Sequence, residues 1–125
     1  MKKIINKLEQ NLGFKINNVE LYIKAITHKS ADKINNYEKL EFLGDRVLGL
    51  FISKKLLEIF PNEKEGILDK KLASLVNKNK CYEIGKYLKL DNIVKIGNLK
   101  FKKQLIEKKI VSDSCEAIIG AIYLD

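Results

Sequence analysis

Acidic side chains recur at helical spacing in the segment EKLEFLGDRVL, residues 38–48. Glu38, Glu41 and Asp45 are spaced i, i+3 and i+7, so a helix turning by about 100° per residue would bring them within about 60° of one another. Like charges at these spacings repel one another, and a solvated outer face is the usual place for them. Here the remaining positions are mostly apolar, so the stripe predicts a functional site on a largely buried helix.

A second pair of acids, Asp113 and Glu116, lies in the segment IVSDSCEAIIGAIYLD, residues 110–125. The i, i+3 spacing places both on one face of a helix. Because the apolar pattern predicts a helix start at Ile110, both acids would fall near that start. There they could interact with the helix dipole or form a capping-box pair. For this pair taken alone, the capping interpretation is the one we favour.

The two groups of acids considered together indicate a metal site. Clustered carboxylates raise one another's pKa and cannot all ionise in a dry site without a cation. Oxygen ligands favour Mg²⁺ or Mn²⁺. His28 is the only histidine and the cysteines form no CxxC pair, which argues against zinc and against a di-iron carboxylate bundle. A magnesium ion held by carboxylates is typical of phosphoryl chemistry.

The balance of charge is strongly basic. The chain of 125 residues has 24 basic and 16 acidic residues and a formal net charge of +8, which suits nucleic acid, an acidic partner or an anionic membrane surface. All but one of the basic residues are lysine, and A/T-rich codon use could account for many of them. Basic charge together with carboxylate-held metal predicts phosphodiester hydrolysis on nucleic acid.

Apolar residues recur at helical spacing along most of the chain, which predicts an all-α bundle in a single domain. Gly44 and Gly49 would each cost about 1 kcal/mol inside a helix, so we expect a close helix or subunit approach there. Residues 91–104 predict a loop with a short helical turn. The expected helices are one closed by Gly13, one from Asn18 to about Thr27, one from Asn35 or Asn36 to Pro61, two around Leu68–Val76 and Cys81–Leu88, and one over Ile110–Leu124.

The cysteines and the apolar runs predict where the protein works. Cys81 and Cys115 lie in apolar helical contexts, which favours buried thiols in a reducing compartment. The amino-terminal segment has no signal-peptide core, and the longest apolar run, AIIGAIYL, is too short to span a membrane. We expect a cytoplasmic protein with no membrane association.

The segment EKLEFLGDRVL strongly resembles the signature of ribonuclease III, the endoribonuclease specific for double-stranded RNA. AITHKS, residues 25–30, precedes it, FPNEKEG, residues 60–66, follows it, and SDSCEAIIGAIYLD, residues 112–125, resembles the second acidic segment of the family. The resemblance extends from about Leu21 to Asp125. It implies an all-α nuclease domain that acts in RNA processing as a homodimer with Mg²⁺, for which Mn²⁺ could substitute. Each subunit would cut one strand, leaving 5′-phosphate and 3′-hydroxyl ends with short 3′ overhangs.

The resemblance assigns roles residue by residue. Asp45 and Glu116 would be catalytic, and Phe42, costly to leave in water, would fill a pocket on the partner subunit. The metal-binding acids would be Glu41, Asp45, Asp113 and Glu116, and two further acids, Glu38 and Glu65, would line the cleavage valley.

Basic residues are candidates for positioning an A-form duplex through its phosphates, although a solvated surface is equally consistent with any one of them. His28, in THKS, is predicted to fix a helix end and not to act in catalysis. The candidate phosphate contacts are Lys70, Lys71, Lys78 and Lys80, and also Lys100, Lys102 and Lys103.

The sequence departs from the family pattern in three places. Tyr37 stands where Asn is common, which would shift the helix cap to Asn36, and Arg46 stands where a small residue is commoner, which adds a cation beside the site. The sequence stops at Asp125 without the further helix and double-stranded-RNA-binding domain of most members, so we expect residues 1–125 to be a nuclease domain cut short, a fragment or a compact member. The alternative is a catalytically silent relative, but clustered acids that repel phosphate would not serve it.

Overall fold

The computed structural model describes the backbone of residues 1–97 and 103–125, and the side chains of residues 1–97 and 107–125. Within this part, the all-α prediction is confirmed, and the only β pairing is an isolated bridge between Thr27 and Lys95. None of the described helices is long and apolar enough to cross a membrane. The elements are α1 (Lys2–Leu12), α2 (Val19–Ala25), α3 (Glu38–Ile59), α4 (Glu65–Leu75), α5 (Lys78–Tyr87), a single 3-10 turn (Leu90–Asn92) and α6 (Lys103–Leu124).

The helix ends follow the local signals in the sequence. Gly13 adopts φ 84° and donates its N–H to the carbonyl of Glu9, which closes α1, and left-handed φ favours glycine at this position. The N-cap of α3 is Tyr37, whose carbonyl accepts a hydrogen bond of 2.8 Å from the N–H of Glu41, so the predicted shift of the cap to Asn36 is wrong by one residue. The Asn36 side chain nevertheless accepts a hydrogen bond of 3.1 Å from the N–H of Glu38. The same helix ends at Ile59, two residues before Pro61.

The last helix begins earlier than its apolar pattern predicts. It starts at Lys103, so Asp113 and Glu116 lie in its middle and the capping interpretation of this pair is wrong. Residues 103–109 are good helix formers but carry too few apolar side chains to mark a helix by periodicity. Within Ile110–Ala121 every residue is buried except Ile119, which is half-buried, as expected of a helix that packs on all sides.

Two glycines allow the backbones of α3 and α6 to cross closely. A Cβ atom on Gly44 would overlap the carbonyl oxygen of Glu116, and one on Gly120 would overlap the carbonyl oxygen of Leu40. The close approach predicted at Gly44 is therefore confirmed. At Gly49 nothing lies within 4 Å of the Cβ position, so no helix of the described chain approaches there.

The third helix is less buried than its composition predicts. Its buried residues are Leu40, Gly44 and Leu56, and the helix carries an exposed apolar face opposite α6. This face, which we call the α3 apolar face, consists of Phe42, Leu50 and Leu57, which are exposed and lie within about 80° of one another around the helix. Phe51 and Ile59 are also exposed but lie on other sides of the helix.

The remaining helices complete the core around α6. Helix α5 packs on α6 at Gly85, where a Cβ would meet the side chain of Val111 at 2.5 Å. Cys81 and Cys115 are both buried free thiols, as predicted. The side chains of Leu8, Tyr22 and Leu90 are fully buried and connect α1, α2 and the 3-10 turn to this core.

His28 has a structural role, although its hydrogen bonds join two loops and do not fix a helix end as predicted. Its backbone N–H donates to the carbonyl of Lys95 at 2.9 Å, and its Nδ1 accepts from the N–H of Ser30 at 3.1 Å. The Ser30 hydroxyl in turn accepts from the N–H of Gly97 at 2.9 Å. Burial lowers the pKa of His28, with help from nearby Lys29 and Lys109, so the neutral ring is favoured in this network.

Replacement of Gly44 by alanine should destabilise the fold through the α3–α6 crossing. The added methyl group would force the two backbones apart, at a cost of about 1–3 kcal/mol or more. Gly49→Ala is the matched control, because its Cβ meets nothing in the described part of the chain and alanine gains up to about 1 kcal/mol of helix propensity. Urea unfolding at equal protein concentration gives the free energy of unfolding of both variants. Equal stability of the two variants would contradict the close crossing.

Candidate metal centre

The close crossing of α3 and α6 brings the two acidic segments together. Glu116 lies at the crossing itself, because a Cβ atom on Gly44 would overlap its carbonyl oxygen. Glu41 and Asp45 lie on α3 on either side of this glycine. Since Asp113 is one turn before Glu116 on α6, the pairs predicted from spacing face one another across the crossing.

A lysine side chain lies where the carboxylates converge. The Nζ of Lys78 is 2.7 Å from Asp113 Oδ1, 2.8 Å from Glu116 Oε1 and 3.4 Å from Glu41 Oε1. The second oxygen of Asp113 accepts a hydrogen bond of 2.6 Å from Lys109. Only 1% of the Asp113 side chain and 5% of the Glu116 side chain are exposed, so two buried charges depend on these lysines.

Lys78 is positioned by the start of α5. Asn77 precedes the helix, and its side-chain oxygen accepts a hydrogen bond of 2.9 Å from the N–H of Lys80. Its side-chain nitrogen donates to the carbonyls of Ala73 and Ser74 at the end of α4. The asparagine therefore fixes the turn between α4 and α5 and directs Lys78 towards the acids.

Asp45 lies in the wall of the same cleft but outside the lysine contacts. It lines the cleft together with Glu116 and Lys78, its side chain is 54% exposed, and its nearest cation is Arg46 at 3.5 Å. The cleft on the α3 side also contains Glu38. Glu38, Glu41, Asp45 and Glu116 therefore line one cleft, and Asp113 is connected to it through Lys78. The residues that line this part of the cleft are Glu38, Glu41, Phe42, Asp45, Arg46, Lys78 and Glu116.

Glu65 is the predicted valley acid that the structure does not place in this cleft. It stands in the first turn of α4 and lines a separate groove with Ser53, Leu57 and Asp69. Its valley role therefore stays a prediction that depends on a second subunit.

Known proteins resemble this chain in both sequence and fold. The family described as Ribonuclease-III-like matches residues 18–125. The chain belongs to the ribonuclease III family. A solved nuclease domain of ribonuclease III from Campylobacter jejuni superposes with a TM-score of 0.86 at 41% sequence identity, covering 96% of this chain and 85% of that one.

Full-length relatives are also similar to the chain. Ribonuclease 3 of Pelagibacter ubique (strain HTCC1062) is 61% identical over 119 residues, which cover 95% of this chain and 54% of that protein. Ribonuclease 3 of Nitrobacter winogradskyi is 42% identical over 130 residues, which cover 99% of this chain and 49% of that protein. The chain therefore spans about half the length of the curated relatives that it matches.

Burial and nearby charge together set the pKa values of the clustered acids. Burial raises the pKa values of Glu41 and Glu116 above the ordinary range, and in both cases Lys78 only partly opposes it. Burial would also raise the pKa of Asp113, but hydrogen bonds from Lys109 and Lys78 outweigh it and lower that pKa. Desolvation would lower the pKa of Lys78, whereas its bonds to Asp113 and Glu116 raise it. The cluster thus holds a charged ammonium.

The donor set fits a hard divalent cation. Every candidate ligand is a carboxylate oxygen, the type that Mg²⁺ and Mn²⁺ prefer, and three of them already surround one cationic group. As the side chains stand, no three acidic, imidazole or thiol groups in the described part form a metal-holding arrangement. The ammonium of Lys78 stands at their focus instead.

Two basic residues in this site were missed or misjudged from the sequence. Lys109 lies four residues before Asp113 on α6, a spacing typical of a helical ion pair, but the late predicted helix start left it outside the helix. The sequence predicts Lys78 as a phosphate contact, whereas in the structure its ammonium is bonded to three carboxylates. No local pattern could assign those partners, because they lie 35 to 38 residues away along the chain.

The other candidate phosphate contacts lie at the surface or beyond the described residues. Lys71 has its Nζ 4.1 Å from the centre of the Phe60 ring. Lys80 forms an exposed pair with Glu83 at 3.5 Å, and Lys70 is exposed. Phosphate contact by these lysines stays a prediction. Lys100, Lys102 and the side chain of Lys103 lie outside the described residues.

Asp113→Asn should lower stability in a pH-dependent manner. Loss of the charged hydrogen bonds to two lysines would cost about 1.5–3 kcal/mol at neutral pH. Because the pKa of the folded carboxyl lies below its usual value of 3.8, its stabilising contribution is present above that value and is lost as the pH falls through the lowered pKa. The gap in the free energy of unfolding between wild type and variant should therefore narrow as the pH falls.

Urea unfolding at a series of pH values measures this gap. The matched control is Asp69→Asn, a change at an exposed acid on α4, which should alter the free energy of unfolding by less than about 0.5 kcal/mol. A gap that stays constant or widens as the pH falls below about 4 would contradict the role given to the charged Asp113.

Proposed function

We propose that this chain is the nuclease domain of an Mg²⁺-dependent endoribonuclease that hydrolyses double-stranded RNA in RNA processing. The observation that carries the proposal is the convergence of Glu41, Asp113 and Glu116, from two helices, on a single cationic group. Such a cluster is costly unless a cation balances it. It therefore favours an enzyme over a silent RNA-binding relative, which would gain nothing from acids that repel phosphate.

The proposed chemistry follows from what each side chain can do. Glu41, Asp113 and Glu116 would hold the cation, with Asp45 at the open side of the cleft, and Asp45 and Glu116 would act as the catalytic acids. When bound, Mg²⁺ or Mn²⁺ would neutralise charge on the phosphate and lower the pKa of a water molecule. The buried backbone of α6 keeps two of the acids fixed and shields them from bulk water. The products would carry 5′-phosphate and 3′-hydroxyl ends with short 3′ overhangs.

We infer that the substrate is recognised by shape and charge. The net charge of +8 suits a polyanion, and the candidate lysines would contact the phosphates of an A-form duplex without reading its bases. The reaction is assigned to the cytoplasm, where free buried thiols such as Cys81 and Cys115 persist.

We also propose that two copies associate through the α3 apolar face. Phe42 is 61% exposed and Leu50 is 74% exposed, and exposed large apolar side chains on one face of a helix mark an interaction site. The comparable Campylobacter jejuni domain has a region involved in dimer formation. A dimer would also allow Glu65 of one subunit to reach a valley shared with Glu38 of the other.

The activity test is cleavage of a long RNA duplex with and without Mg²⁺, beside a DNA duplex. We expect Mg²⁺-dependent cleavage of the RNA alone. Glu116→Gln should lower the cleavage rate by about a hundredfold or more, because it removes a charge from the metal site, while circular dichroism stays unchanged. Glu83→Gln, at an exposed acid on α5, is the control and should cleave normally. A wild-type rate of RNA cleavage by Glu116→Gln would contradict the assignment of Glu116 to the metal site.

The dimer test uses Phe42→Ala against Phe14→Ala, another exposed phenylalanine. Truncation of a central interface aromatic costs about 2 kcal/mol or more, so the dimer dissociation constant of Phe42→Ala should rise by at least about tenfold. Light scattering over a range of concentrations measures it. A wild-type mass of 14.4 kDa, that of one chain, at micromolar concentration would refute the interface.

A further inference from the structure

The place of Lys78 in the acid cluster has a consequence for metal binding. We propose that its ammonium is a tethered counter-cation, which balances the acids when no divalent cation is bound and leaves when one binds. Lys78 would then set the apparent affinity of the site for divalent cations. This inference rests on the proposed metal site and adds to it a competitor supplied by the chain itself.

The ammonium and a divalent cation would need the same oxygen atoms. Lys78 Nζ is within 2.8 Å of both Asp113 Oδ1 and Glu116 Oε1, and a metal bound by these carboxylates would lie against the same atoms. Two cations at such short range repel one another strongly where solvent is scarce. Simultaneous occupancy is therefore unfavourable, and the two cations exclude each other.

The geometry allows the lysine to leave without disturbing the fold. Its side chain is 57% exposed, so a rotation about its own bonds can carry the ammonium into solvent. The backbone of α5 would stay in place, because Asn77 anchors the helix start independently of the lysine side chain. Lys109 is bonded to the other oxygen of Asp113, so that carboxyl would keep one partner during the exchange.

The arrangement also accounts for how the acids remain stable without metal. Asp113 and Glu116 are almost completely buried, and unbalanced charges at such positions are strongly destabilising. A tethered lysine prevents this cost, but it occupies carboxylate oxygens that a divalent cation would need. If the lysine-free state is populated about one tenth of the time, the apparent dissociation constant for a divalent cation is about tenfold weaker than the intrinsic one.

Three variants of the 125-residue chain test the idea. Lys78→Met keeps the length of the stem and removes the charge, and Lys78→Arg keeps a charge. Lys80→Met is the matched control on the same helix, where the lysine pairs with the exposed Glu83 and not with the acid cluster. Titration calorimetry with Mn²⁺ at constant ionic strength gives the dissociation constant, and thermal melts in EDTA and in Mn²⁺ give stability.

Removal of the charge should have opposite effects on the two measurements. Lys78→Met should bind Mn²⁺ about tenfold tighter than wild type and melt at a lower temperature in EDTA, with the loss recovered by Mn²⁺. Lys80→Met should match wild type, and Lys78→Arg should bind no tighter than wild type. If Lys78→Met does not fold in EDTA, its folding on addition of Mn²⁺ supports the same conclusion.

Other results would overturn the inference. Equal or weaker Mn²⁺ binding by a folded Lys78→Met would show that the lysine does not compete. A Lys78→Met chain that stays unfolded in Mn²⁺ would make the lysine a fixed structural partner. Absence of Mn²⁺ binding in every variant would remove the metal site together with the inference. In contrast, normal Mn²⁺ binding without cleavage of an RNA duplex would refute the proposed activity and leave the Lys78 comparison valid.

Discussion

The neutralisation of buried charge on α6 is the constraint on which the rest of this structure depends. Asp113 and Glu116 lie on the most buried helix, where a carboxylate without a partner would cost several kcal/mol. Lys109 from the same helix and Lys78 from α5 supply the positive charge. The start of α5 is thus held by ion pairs as well as by packing at Gly85. Because the lysines balance their charge, the two acids can remain on a buried helix and face the cleft.

The glycines at the crossing of α3 and α6 serve this constraint directly. Because Gly44 has no side chain, α3 can approach the carbonyl of Glu116, and Glu41 comes within reach of the same lysine as Asp113 and Glu116. A larger residue would separate the acids as well as the helices. Fold stability and the geometry of the acid cluster therefore depend on the same few atoms.

The sequence was sufficient for what depends on local periodicity and insufficient for what depends on contacts between distant segments. Helices α1 to α5 are marked by their apolar stripes, and Gly13 and Pro61 limit two of them as expected. The start of α6 was missed because Lys103 to Lys109 lack an apolar stripe, and this error made a central acid pair look like a helix cap. The need of clustered acids for a cation predicted their convergence. No pattern in the sequence predicted that Lys78 is the cation at their centre. Glu65 is a different case, because a role shared between two subunits leaves no contact within one chain.

Arg46 connects the acid cleft to the α3 apolar face. Its guanidinium lies 3.8 Å from the centre of the Phe42 ring, donates to the Phe42 carbonyl at 3.1 Å and is 3.5 Å from Asp45. A small residue at this position could make none of these contacts. Any molecule that covers Phe42 would also remove water from the guanidinium, and charge interactions strengthen as water is excluded. The most exposed of the four candidate metal ligands, Asp45, is therefore electrostatically linked to the state of the apolar surface one helical turn away.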